Sequence, residues 1–150
     1  MRSSSHLSVV GRLLILLSVF AICDAVSPSE DQVRAEFPAA MQRVRQRLPE
    51  QPDSPALQAY VIYDYLIAAR FRRDLDLKPG DDVDAAVDAF LQAHTGQPVA
   101  RNLRIDWLTS LANRHRWDWF LPRAGDVTSP SLICGRLQGR LATGDTKGLA

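Results

Sequence analysis

A chain of 150 residues with 18 Lys and Arg against 17 Asp and Glu, and 46% hydrophobic residues, has the size of about one domain. Its formal net charge of +1 provides no field to draw in nucleic acid or anionic lipid, which excludes binding classes that depend on a basic surface.

The first segment is a targeting signal. Arg2 and Arg12 precede an apolar run over residues 13–22, and Cys23-Asp24-Ala25 supplies small side chains for cleavage after Ala25. Residues 1–25 therefore read as a secretory signal peptide and residues 26–150 as the exported chain. A membrane anchor is the weaker alternative, because the run has about half the length of a spanning helix. Lipidation of Cys23 is the other, and it is opposed by the bulky Ile22 just before it. Removing the signal takes away Arg2, Arg12 and Asp24 and leaves 16 basic against 16 acidic residues. It also leaves Cys134 unpaired, which in an oxidising compartment implies a buried thiol or a partner outside the chain.

Ser29-Glu30-Asp31-Gln32 resembles a capping box, and Pro38 is expected to kink or restart the helix that continues through Met41, Val44 and Leu48. Residues 54–73 form the stretch around which the rest is organised. Ser54 can N-cap it, Pro55 suits the first helical position, and only Gln58, Asp64 and Arg70 interrupt the run from Ala56 to Phe71. Those three lie about 120° apart, so the helix has no broad polar face and requires neighbours on several sides.

Residues 72–82 invite a calcium-loop reading, which fails on Lys78, the late Gly80, and Ala85 where a bidentate glutamate belongs. Asp81, Asp82 and Asp84 fit the first turn of a helix whose stripe is Val83, Val87, Phe90 and Leu91, with His94 in its last turn and Gly96 ending it. Pro98 opens the next helix, carrying Val99, Leu103, Trp107 and Leu111, and Arg114-His115-Arg116 closes it. A short helix over 117–121 follows, stopped by Pro122. Trp107, Trp117 and Trp119 are candidates to stack on sugar rings, although packing between helices is the plainer account. A loop over 123–130 leads to a final helix over 131–142, in which Gly135 and Gly139 permit close approach to a neighbour. Residues 147–150 look like the start of a partner helix. No strand-type alternation occurs, so the fold class is all-α, with antiparallel helix pairs forming one end of a superhelix or solenoid.

The matching features over about 48–150 are P-D-S-P-A-L-Q-A-Y-V-I-Y-D-Y-L, V-D-A-A-V-D-A-F-L-Q-A-H, L-T-S-L-A-N-R-H-R-W-D-W-F-L-P and C-G-R-L-Q-G-R-L-A-T-G-D. In this order they resemble the N-terminal superhelical region of the soluble lytic murein transglycosylases. The resemblance implies a periplasmic location and a peptidoglycan glycan strand as partner. It further implies a C-terminal lysozyme-like domain that cleaves the β-1,4 bond between N-acetylmuramic acid and N-acetylglucosamine, leaving a 1,6-anhydro product. That chemistry needs a glutamic acid followed by serine, protonated near neutral pH. Glu30, Glu36 and Glu50 are followed by Asp, Phe and Gln, so none carries over. The chain is thus expected to be a non-catalytic scaffold serving a separately encoded catalytic domain, and to be truncated, with Leu132, Ile133 and Leu137 partly exposed. A stand-alone helical module that binds a periplasmic protein is the alternative. No catalytic, cofactor or metal residue is assigned. The motifs of dinucleotide, phosphate, zinc and nucleophile-elbow sites are missing, and Asp74, Asp76, Asp81, Asp82 and Asp84 are expected in a polar turn.

Overall fold

The computed structural model describes residues 30–145. The expected signal peptide and cleavage point, Cys23, the expected cap at Ser29 and residues 147–150 lie outside them. The described elements are α1 (Glu30–Arg45), α2 (Pro55–Gln58), α3 (Tyr63–Leu77), α4 (Asp81–Ala93), α5 (Pro98–Asn113), α6 (Trp117–Phe120), a 3-10 turn (Leu121–Arg123) and α7 (Pro130–Ala142). All are helical, and among the described residues no helix is long and apolar enough to cross a membrane.

Pro38 lies inside α1 without ending it. Val33 and Val44, eleven residues and three turns apart, are both buried, so both sit on one face across the proline. The expected single helix over 54–73 is instead two. Ser54 caps α2 through its Oγ, which accepts from the Leu57 amide at 3.0 Å, and Pro55 opens it as expected. The helix then stops at Gln58. Tight turns replace it, with Tyr60 N–H on Leu57 O and Tyr63 N–H on Tyr60 O, and α3 starts at Tyr63. The β-branched pair Val61-Ile62 makes this a weak point for a helix, while Tyr60 gains an edge contact with Phe37 at 5.7 Å. Val61 is left 88% exposed at the break.

The principal packing runs along a row: α1 on α3, α3 on α5, and α5 on α7. α4 lies against both α3 and α5, and α6 against both α5 and α7. Two apolar clusters result. Val44, Leu57 and Leu66 join α1, α2 and α3, while a larger cluster centred on Leu103, Trp107, Leu108 and Leu111 extends from α3 to α7. The glycines of α7 face inward. A Cβ at Gly135 would lie 3.3 Å from Ala112 Cβ, and one at Gly139 would lie 2.8 Å from the Trp117 ring. This approach also buries Leu132 to 3%, correcting the expectation that it is partly exposed, whereas Leu137 is exposed. Cys134 is exposed, which removes burial as the explanation of its free thiol.

A polar clamp holds the linker between α1 and α2. Arg70 grips Asp53 with two hydrogen bonds of 2.6 and 2.8 Å, and the Tyr63 hydroxyl donates to the same carboxylate at 2.7 Å. Glu50 accepts from Arg70 at 2.9 Å and also from Arg73. Glu36 accepts from the Ser54 amide and hydroxyl at 3.2 and 2.7 Å. The bond from Arg70, above all, holds Asp53 below its ordinary value of 3.8 against the opposing effect of burial. Its contribution to stability is therefore complete above that value and is lost as pH falls through the lower folded one. Asp53→Asn should cost about 1–2 kcal/mol at neutral pH, on the scale of hydrogen bonds to a charged group, and should flatten the acid limb of a denaturation-against-pH curve below pH 4. Parallel acid limbs for the two proteins would refute the clamp.

Candidate functional site

α5 forms the wall shared by two grooves, and a buried carboxylate from α4 fixes its position. Asp84 lies one turn before Val87 and seven residues before Leu91, on the apolar stripe of α4 rather than on its solvent side. It is 0% exposed and accepts from Trp107 Nε1 at 2.8 Å and from Arg114 at 2.8 and 3.1 Å. The expectation of a wholly polar turn is thus corrected for Asp84. Asp81 stays at the surface and pairs with Arg116, whereas Asp74 and Asp76 lie on the last turn of helix α3 rather than in a loop turn and pair with Arg73 and Arg47.

Trp107 is 1% exposed and offers no free ring face. Its edge meets Trp119 at 6.1 Å, and the Arg123 guanidinium lies 5.5 Å from the Trp107 ring and 4.7 Å from that of Trp119. Arg123 also binds Asp88 at 2.6 and 2.9 Å. Trp117 is half-buried against Phe120 and the Gly139 backbone. The three tryptophans therefore tie α5, α6 and α7 together.

Between α4 and α5 lies a groove of about 420 Å³ with Leu91, Ala100 and Trp107 as its apolar lining and Gln92, Gln97 and Arg101 among its polar residues. Its two carboxylates, Asp88 and Asp126, are held below the usual carboxylate range, foremost by the hydrogen bonds from Arg123 and Arg104. Arg104 also donates to the Arg123 carbonyl at 2.6 Å, which secures the 3-10 turn against α5. On the other side, between α3 and α5, a groove of about 510 Å³ is lined by Arg72, Asp76, Asp106, Ser110, Asn113 and Arg114, among others. There Arg72 pairs with Asp106, and Ser110 accepts from Arg114 at 3.3 Å.

A general acid must stay protonated near neutral pH, and the arginines beside Asp88 and Asp126 have the opposite effect. The three glutamates have protein partners: Glu30 with Arg34, Glu36 with Ser54 and Glu50 with Arg70 and Arg73. His94 bridges the Phe90 carbonyl at 2.9 Å and Asp64 at 3.1 Å, while His115 takes a left-handed backbone that closes α5. Among the described residues no group of three His, Cys, Asp or Glu could hold a metal ion. Sequence reasoning missed Asp84 and Arg123. The signal for Asp84 was its register with Val87 and Leu91, and Arg123 had none short of its tertiary partners.

In comparisons with known proteins, no family model, no curated protein and no solved structure matches this chain.

Asp84→Ala would strand the Trp107 indole and the largely buried Arg114, and should cost about 2–4 kcal/mol in urea denaturation, scaled down from fully buried pairs because Arg114 keeps some solvent contact. Asp81→Ala, at the surface, should change stability by less than about 0.5 kcal/mol. Equal costs for the two would contradict a structural role for the buried carboxylate.

Proposed function

We propose that this chain is a non-catalytic helical scaffold that engages the glycan strand of peptidoglycan in the periplasm, resembling one end of the superhelix of the soluble lytic murein transglycosylases. It works with a catalytic domain outside these residues. The observation that carries this reading is the packing row α1–α3–α5–α7, in which each helix rests chiefly on near neighbours in the chain, as in stacked helical arrays. The resemblance over residues 48–150 supports the same reading. So do the arginine-held carboxylates of the α4–α5 groove, which suit holding a sugar strand rather than cleaving it. The competing reading, a module that recruits a periplasmic protein, draws on the exposed Leu137 and Leu141 of α7.

A pull-down of the chain on purified peptidoglycan sacculi, with analysis of the soluble products, separates these readings. Retention on sacculi without release of 1,6-anhydro-muropeptides is expected. Released anhydro-muropeptides would overturn the non-catalytic reading. Failure to bind would overturn glycan engagement and shift weight to the protein-recruiting module.

A further inference from the structure

We propose that the α4–α5 groove is the seat of the glycan strand, with Gln97 and Arg101 supplying its principal hydrogen bonds. This rests on the glycan-engaging reading above and deepens it by assigning the place and the residues. A pyranose strand presents an apolar C–H face and a rim of hydroxyl and acetamido groups, so its seat combines an apolar wall with a few polar groups free to pair. The half-buried Leu91 gives the groove its accessible apolar surface, over a floor in which Ala100 and Trp107 are buried. Gln97 caps the start of α5 and Arg101 lies one turn further on, both exposed and lining the groove. Among the described residues neither side chain has a hydrogen bond or ion pair.

Of the five charged side chains in this groove, four cancel in pairs, Asp88 with Arg123 and Asp126 with Arg104. Arg101 remains. The Gln97 amide can donate and accept, which matches an acetamido group, and the Arg101 guanidinium suits a carboxylate substituent on an adjoining sugar. These two side chains fit the ligand that the glycan-engaging reading supplies, a β-linked strand of N-acetylated hexosamines with some carboxylate-bearing units. The larger α3–α5 groove is the poorer seat, because its guanidinium and carboxylate groups are committed to protein partners: Arg72 to Asp106, Asp76 to Arg47 and Arg114 to Asp84.

The test is sacculus binding by the whole chain and by two variants, Gln97→Ala/Arg101→Ala in the proposed seat and Asn113→Ala in the other groove. Thermal melts accompany the assay to show that all three fold alike; each substituted side chain is exposed. The double variant should lose roughly tenfold in affinity, the scale of two hydrogen bonds, with an unchanged Tm, and Asn113→Ala should bind as the parent does. If the parent binds and the double variant binds equally well, the seat is wrong while the glycan reading stands. If Asn113→Ala is the variant that weakens binding, the strand lies in the α3–α5 groove and the assignment is likewise overturned. A parent chain that does not bind sacculi removes the glycan reading and this inference with it.

Discussion

Two donors on α5, an indole N–H and a guanidinium, share one buried carboxylate on α4. Trp107 and Arg114 lie seven residues apart, on one face of α5, and Asp84 enters the apolar contact between the helices to meet both. A buried carboxylate is tolerated only when its lone pairs are filled, and here they are filled by groups that the same contact must also satisfy. The exchange fixes the axial register of α4 against α5. It also seats the Trp107 ring against which Trp119 and Arg123 pack, so the positions of α6 and the following 3-10 turn derive from it. Both grooves have α5 as a wall, and their shapes depend on that register.

Beyond this node the fold divides its work between apolar and polar contacts. The larger cluster binds α3 to α7 through aliphatic and aromatic burial. Where α1 meets α2 and α3, Val44, Leu57 and Leu66 are the buried residues of the smaller cluster, with Phe37, Met41 and Tyr63 among those packed against it, and the clamp of Asp53, Glu50, Arg70 and Arg73 supplements it. A stacked array concentrates stability at interior elements and leaves its ends to local contacts. Among the described residues α5 packs against α3, α4, α6 and α7, whereas α1 packs against α2 and α3. The same division separates interior from surface: Arg70, Arg73, Arg114 and Arg123 are matched to carboxylates, and the exposed Gln97 and Arg101 line the groove.

Where a boundary depended on local chemistry, it could be read from the residues. Pro98 starts α5, Ser54 and Pro55 start α2, and Gly96 and Gly144 take positive φ just beyond helix ends. Apolar period also identified the buried face of α5, because six of its residues are buried on one side. The break over 59–62 was hidden, since no glycine or proline marks it and the competing contact of Tyr60 with Phe37 is tertiary. Asp84 was hidden for a related reason: three aspartates in one helical turn look alike until two donors from another helix select one of them. Leu132 was misjudged because the depth of α7 is set by what Gly135 and Gly139 meet on α5 and α6. Of the candidate site, the tryptophans were visible as residues, but their burial follows only from packing.

The proposed neighbour-by-neighbour stack predicts how the molecule opens, and native-state hydrogen exchange measures that directly. Amides of α1 and α2 should exchange through an opening that costs less free energy than the one exposing α5, with α3 between them. Exchange of α1, α3 and α5 at one common free energy would mean a single cooperative globule and would contradict the array.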